Sequence, residues 1–323
     1  MHRAALPTLA LALLLALVAC VTALGASTPA ARPKPPSAAH VERATHEFLS
    51  ENRGAVAEAK QTPARAAARK DRIFPRRRLV ALYGAPQLSK SIIGLKSPGG
   101  AKKKLNKEVA KYEQKGDDPV TGGFDLIATI ATSSPGSSHL FRDRQRASVI
   151  QTYLDAARQV NGRLLLDIQP GRSTFLKEAK AFREWLSKPD VDLALDPEWN
   201  VGKKGKPGST TGKVSAGNLN KVSDFLAGLV RSENLPQKVL VVHQFRKGSV
   251  RHRADIEQRG DDVAVTLNFD GIGGRKAKRA GYVKLGAPQL FNGFSLFYRL
   301  DKGLMSAEQV LGLEPPPNYV MYQ

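Results

Sequence analysis

The chain of 323 residues carries 50 Lys and Arg against 29 Asp and Glu, a formal net charge of +21, with 41% hydrophobic residues, 7% aromatic residues and a single Cys. That length allows one large domain or two small ones, and the apolar fraction excludes disorder along the whole chain. One Cys excludes a disulfide framework and any multi-Cys metal knuckle.

Met1-His2-Arg3 is followed by an apolar run from Ala4 to Ala19 that stops at Cys20. A short basic head and a run of this length read as a secretory signal peptide over residues 1–19, too short for a comfortable bilayer span. Leu17-Val18-Ala19-Cys20 resembles the lipobox of bacterial lipoproteins. That resemblance implies cleavage before Cys20, acylation of Cys20 and lasting attachment to the extracytoplasmic face of a membrane. A plain signal peptide with a chance Cys, or an uncleaved anchor, is the alternative. Residues 20–40 are rich in Ala and Pro and read as a lipid-anchored tether that buries no core. Residues 41–78 read as a basic stem, partly helical, with a thin apolar stripe.

The basic excess is spread along the chain, with clusters at Arg76–Arg78, Lys102–Lys104, Lys203–Lys204 and 275–279. It fits either a solvated surface or attraction to anionic lipid headgroups and envelope polymers. Nucleic acid is not an expected partner, because the chain is tethered outside the cell and shows no aromatic-plus-basic stacking motif.

From residue 79 to 323 short apolar runs alternate with amphipathic stretches. The runs cover 79–83, 124–130, 163–167, 191–196, 239–243, 263–269, 294–298 and 319–322, and their near-continuous apolarity is that of strands buried on both faces. Helical spacing joins Val149, Tyr153, Ala156 and Val160, then Phe175, Ala179, Phe182 and Leu186, then Leu219, Val222, Leu226 and Leu229. Ser173 and Ser306 stand where N-caps are expected, and the 276–285 helix is weakened by Gly281. Eight strands with crossover helices in this span match an α/β fold of the (β/α)8, TIM-like barrel type. A doubly wound open sheet is the rival, but no early strand is followed by G-x-G-x-x-G or a Walker A sequence. The eighth strand ends at Gln323 with no helix after it, so the stem around 41–60 is expected to cover the groove there.

Barrel chemistry gathers at the C-terminal ends of the strands. Those ends read Tyr83, Asp167 to Gln169, Asp196 to Trp199, His243-Gln244, Asn268 to Asp270 and Tyr298. Acid and amide groups recur at one height of the barrel, which points to a functional mouth. Glycosidic cleavage needs a proton donor and a second group that supports the anomeric carbon, and Asp196 and Glu198 alternate so that both can face one side. The stretch from Asp192 to Glu198, with Leu267 to Asp270, resembles the fourth- and sixth-strand motifs of chitinase-like glycoside hydrolases. The resemblance implies Glu198 as the acid, Asp196 as its assistant and Asp270 as an orienting group. It departs from that family at Ala194, where a further Asp is usual, and at Phe269, where Tyr is usual. The stretches 165–171 and 195–199 also resemble a group of uncharacterised actinobacterial secreted proteins, over about 79–323, which implies no activity.

The sequence therefore predicts a membrane lipoprotein with a glycoside-hydrolase-like barrel, with Asp167, Gln169, Trp199, His243, Gln244, Tyr83 and Tyr298 contacting a carbohydrate ligand. A non-catalytic glycan-binding surface lipoprotein is the alternative, favoured by Ala194. No metal and no cofactor are expected. The first strand lacks a His-x-His pair, and although His243 with Asp270 and Asp167 could hold a metal, a lone strand-end His is more often simply hydrogen-bonded. No G-x-S-x-G elbow is present. Gly171-Arg172-Ser173 reads equally as an anion site and as an ordinary helix start.

Overall fold

The computed structural model describes residues 72–323; the signal peptide, Cys20, the tether and the stem to residue 71 lie outside the described residues. Eight strands form the core: β1 (Arg78–Gly84), β2 (Val120–Ala131), β3 (Arg163–Ile168), β4 (Val191–Leu195), β5 (Lys238–Gln244), β6 (Val263–Phe269), β7 (Phe291–Leu296) and β8 (Tyr319–Tyr322). Each pairs in parallel with the next in chain order, and β8 returns to β1 with Leu79 opposite Tyr319 and Leu82 opposite Tyr322. The sheet is thus a closed (β/α)8 barrel, as the spacing of apolar runs predicts.

Side chains alternate between two apolar layers. Leu79, Ala81, Ile127, Leu165, Ala194, Val241 and Met321 point inward and fill the barrel, while Val80, Leu82, Leu166, Leu195, Val242 and Leu296 point outward under the helices. The floor of the barrel is closed by Ile73 and Phe74, both buried among the inward residues. The barrel unit therefore takes in residues 72–78, which composition alone assigns to the stem. Beside Phe74 lies a buried ion pair. Asp192 accepts Arg163 Nε at 2.5 Å, Arg163 Nη2 at 2.7 Å and the Val239 N–H at 2.8 Å, joining β3, β4 and β5.

The outer layer comprises α1 (Ile92–Leu95), α2 (Pro98–Glu113), α3 (Ala147–Arg158), α4 (Phe175–Ala181), α5 (Arg183–Leu186), α6 (Ala216–Glu233), α7 (Arg275–Leu285) and α8 (Ala307–Leu311). Among the described residues no α-helix stands between β5 and β6, which are joined through a two-residue strand, Val250–Arg251, and a 3-10 turn, Arg253–Asp255. Ser306 caps α8 through a capping box with Gln309. At α4 the cap is Thr174, which accepts the Lys177 N–H, whereas Ser173 donates to Glu178 at 2.5 Å. Buried Glu178 draws Ser173 away from the cap by also receiving Arg142 and Arg144. Arg172 is occupied as well, donating to the Gly205 carbonyl at 2.7 Å and lying over the Phe141 ring. Gly171 adopts φ +60°, and a Cβ there would meet the Leu140 and Phe141 carbonyl oxygens at 2.4 and 2.5 Å. This segment is a tight packing turn.

Two further differences from the sequence reading matter for the site. β7 begins at Phe291, three residues before the apolar run that predicts it, and ends at Leu296, so Tyr298 lies beyond the strand. The outer face of β8 is covered by α2: Tyr112 and Tyr322 are fully buried and share a hydrogen bond of 2.9 Å between their hydroxyls. The stem expected at that groove lies outside the described residues.

Candidate active site

The C-terminal ends of the strands surround a cavity of about 850 Å³. Strand alternation delivers Tyr83, Gln169, Asp196 and Asp270 into it, because each shares the inward parity of its strand. After β4 the chain turns through a 3-10 turn, Pro197–Trp199, that sets Glu198 and Trp199 on the same wall. The turn is fixed at both ends: the Asp196 N–H donates to the Ile168 carbonyl at 3.0 Å, and the Glu198 carbonyl accepts the Gly212 N–H at 2.6 Å. Gln169 bridges two neighbours, its Nε2 donating to Tyr83 Oη and to Asp196 Oδ2, each at 3.3 Å. Asp270 Oδ1 is buried without a hydrogen-bond partner. The rim is apolar and basic: Leu88, Phe245, Ile272 and Leu300 are exposed there, beside Arg246 and Lys284.

Burial and crowding of like charge set the electrostatics of this mouth. Desolvation, followed by the charges of Asp167 and Glu198, holds the Asp196 carboxyl well above the usual carboxylate range. Glu198 is also raised, by desolvation first and then by Asp270, with His243, Trp199 and Arg246 acting in the opposite direction. Burial and the charge of Asp167 keep Tyr83 a neutral phenol. The Asp196/Glu198 pair therefore retains a proton above the pH at which free carboxyls lose theirs, as a general acid requires.

Below the mouth lies a second polar layer, fully enclosed. Asp125 Oδ2 accepts Tyr319 Oη at 2.6 Å and faces His243 Nε2 at 3.7 Å. Asp167 Oδ2 accepts Tyr83 Oη at 3.0 Å. His243 Nδ1 is 2.9 Å from Asn268 Nδ2, which also donates to Ser295 Oγ at 2.7 Å. Desolvation pushes Asp167 up to about 7, with His243 opposing and Asp125 adding to the rise. Burial lowers the His243 pKa, but the nearby carboxylate of Asp125, 3.7 Å from Nε2, and the charges of Asp270 and Asp167 prevail and bring it to about 10. Asp125, Asp167 and His243 offer ligand atoms within 4.8 Å of one another, and among the described residues these three are the group able to hold a metal.

Of the residues predicted from sequence, Tyr83, Gln169, Asp196, Glu198, Trp199 and Asp270 line one cavity. Asp167 and His243 lie in the layer beneath it. Gln244 and Tyr298 are not brought to the mouth. Gln244 has outward parity and donates to the Leu285 carbonyl at 2.6 Å, holding the end of α7. Tyr298 stacks on Tyr322 at 5.3 Å, with Lys104 over its ring, on the outer side toward α2. Sequence reasoning missed Asp125 and Tyr319. The signal for Asp125 was a carboxylate inside an otherwise apolar strand, a costly placement without a partner.

No protein-family profile matches the chain, and no curated protein matches it. One solved structure with a detectable likeness is the sialic acid aldolase of Ruminococcus gnavus, 12% identical, with a TM-score of 0.34 over 76% of this chain and 66% of that one. The match spans just under two thirds of the aldolase chain. At that similarity it bears on the fold alone, and the barrel described above rests on its own strand order.

Proposed function

We propose that this chain is a lipid-anchored, extracytoplasmic protein whose barrel mouth hydrolyses a glycosidic bond in an envelope or extracellular glycan. The observation that carries the reading is the Asp196/Glu198 pair, two carboxyls with raised pKa values in one cavity with Asp270. Glu198, on the exposed side of the pair, donates its proton to the glycosidic oxygen as the bond to the anomeric carbon breaks. Asp270 supports the positive charge that develops on the sugar, with the neutral Asp196 carboxyl hydrogen-bonded to Gln169 beside it, and water adds to the anomeric carbon and returns a proton to the site. Trp199 and Phe245 offer flat apolar surface to the nonpolar face of a sugar ring. Arg246, Lys247 and Lys284 at the rim favour a polymer that carries negative charge.

Ala194 gives specific support to a second reading, a glycan-binding lipoprotein without turnover. It is buried in the apolar interior where chitinase-like enzymes carry a further carboxylate. One experiment separates the two. Wild type and Glu198→Gln are assayed on a panel of neutral and acidic glycans, for product by reducing-end release and for binding by calorimetry. The hydrolase reading expects Glu198→Gln to lose ~10²–10⁴ in rate with binding retained. Binding without turnover by wild type selects the second reading. Turnover that survives in Glu198→Gln removes Glu198 from the role of acid.

A further inference from the structure

We propose that Asp125, Asp167 and His243 form a binding site for one divalent first-row metal ion, of the Zn²⁺ or Mn²⁺ class, inside the barrel beneath the mouth. The three come from β2, β3 and β5, strands whose backbones are locked in the barrel, and all three side chains are buried. Their ligand atoms lie within 4.8 Å of one another. An ion bound at about 2.0–2.2 Å holds its donors no more than ~4.4 Å apart, so small side-chain rotations close the site.

The hydrogen-bond pattern distinguishes this cluster from a chance group of acids. Each of the three residues has one polar atom engaged by an outer donor and the other without a partner. Asp125 receives Tyr319 on Oδ2 and leaves Oδ1 bare; Asp167 receives Tyr83 on Oδ2 and leaves Oδ1 bare; His243 meets Asn268 at Nδ1 and leaves Nε2 bare. That is the arrangement of metal ligands oriented by a surrounding shell. In the loaded form Nδ1 carries the imidazole proton and Asn268 presents its Oδ1 to it, the amide turned over. Neither carboxylate has a Lys or Arg ion pair among the described residues, and the only cationic partner Asp125 has there is His243 itself. Two carboxylates and a neutral imidazole balance a divalent charge. The donor set suits Zn²⁺ or Mn²⁺ better than Mg²⁺ or Ca²⁺, which require six or more oxygen ligands or retained waters.

The test reads metal rather than glycan turnover, so its outcome is independent of the hydrolase reading. Full-length protein in detergent is stripped with a strong chelator, reloaded with Zn²⁺ or Mn²⁺, and its metal content and affinity are measured by mass spectrometry and competition with a chromophoric chelator. The expected result is one tightly held ion per chain that raises the melting temperature. His243→Gln and Asp167→Asn should lose that ion, and Asn268→Leu should bind ~10–100-fold more weakly. Should the variants fail to fold, Co²⁺ titration of wild type decides. Visible ligand-field bands that saturate at one equivalent and are displaced by Zn²⁺ support the site. Wild type that binds no equivalent of Zn²⁺, Mn²⁺ or Co²⁺, or a folded His243→Gln that binds as wild type does, overturns it.

Discussion

Asp192→Ala removes the centre of the ion pair at the barrel floor. Asp192 is fully buried and accepts three hydrogen bonds, two from Arg163 and one from the Val239 N–H. Without it the Arg163 guanidinium keeps one long contact, to the Gln237 carbonyl at 3.4 Å, and the Val239 amide has lost its acceptor. Breaking a buried pair by deleting one partner costs about 3–5 kcal/mol, because the other charge stays desolvated. The orphaned amide costs about 1–3 kcal/mol more, but the two losses share one site and do not add fully. Arg163 retains 14% side-chain exposure, so water recovers part of its solvation. The net expectation is a loss of about 4 kcal/mol, a large share of the ~5–15 kcal/mol that holds a domain together. At roughly 2–4 °C per kcal/mol for a domain of this size, the melting temperature falls by about 8–16 °C. Circular dichroism melts and urea titrations at pH 7 measure both quantities. The control is Asp224→Ala, which breaks an ion pair with Arg259 whose carboxylate side chain is 63% exposed, and which should cost no more than about 1 kcal/mol. If Asp192→Ala costs no more than this control, burial does not govern the pair and the reasoning is refuted. Joint replacement by Asp192→Leu and Arg163→Met should recover most of the loss, since it removes both charges and keeps the volume.

Asp196 faces Tyr83, Asp167, Glu198, His243 and Asp270, and in the folded state it holds a proton that the unfolded chain releases near pH 4. Folded protein then binds more protons than unfolded protein, so this group makes stability fall as pH rises from about 4 toward its raised pKa. Asp196→Asn should match wild type near pH 4 and exceed it increasingly as the pH rises above that, and parallel urea-derived curves would contradict the assignment. Gly281→Ala puts a Cβ 2.4 Å from Phe269 Cζ, so despite the better helix propensity of Ala it should destabilise by ~1–3 kcal/mol, read as a lower melting temperature; an unchanged or higher value would show that Phe269 yields freely. Cys20→Ser should release the protein from membranes or leave an uncleaved precursor, as seen by fractionation and intact mass. Unchanged fractionation and mass would sink the anchor.

The strands were legible because parallel strands buried on both faces must be apolar throughout, and eight such runs stand out against a basic chain. Phe291-Asn292-Gly293 lacks that signature. Gly293 is inward and a Cβ there would crowd Asn268, so the start of β7 is written in packing rather than hydrophobicity. Tyr298 shares the outward parity of Phe294 and Leu296, so even a strand reaching it would aim it at the helices rather than the mouth. At the mouth, Asp196, Glu198 and Asp270 were legible as acids at strand ends. Gln244 was not, because adjacent strand residues face opposite sides and only His243 has the inward parity. Asp125 and Tyr319 carry no local signal of their pairing, since the partner of each lies on a strand remote in sequence, one at each end of the barrel unit.

The pairing of β1 with β8 has a consequence for how the protein is made. The seam joins the first and last strands of the unit, Leu79 to Tyr319, and contacts of such sequence separation form slowly because the loop between them must be ordered first. A chain emerging N-terminus first holds β1 to β7 as an open sheet with two unpaired edges until Tyr319–Tyr322 arrives. Open edges of apolar strands are templates for pairing with other chains. Truncation before Tyr319 would therefore yield no smaller barrel but a sticky half-built sheet, also deprived of the hydroxyl that Asp125 needs. Recombinant yield of this protein should accordingly depend more on holding the nascent chain apart from its copies than on the stability of the finished fold.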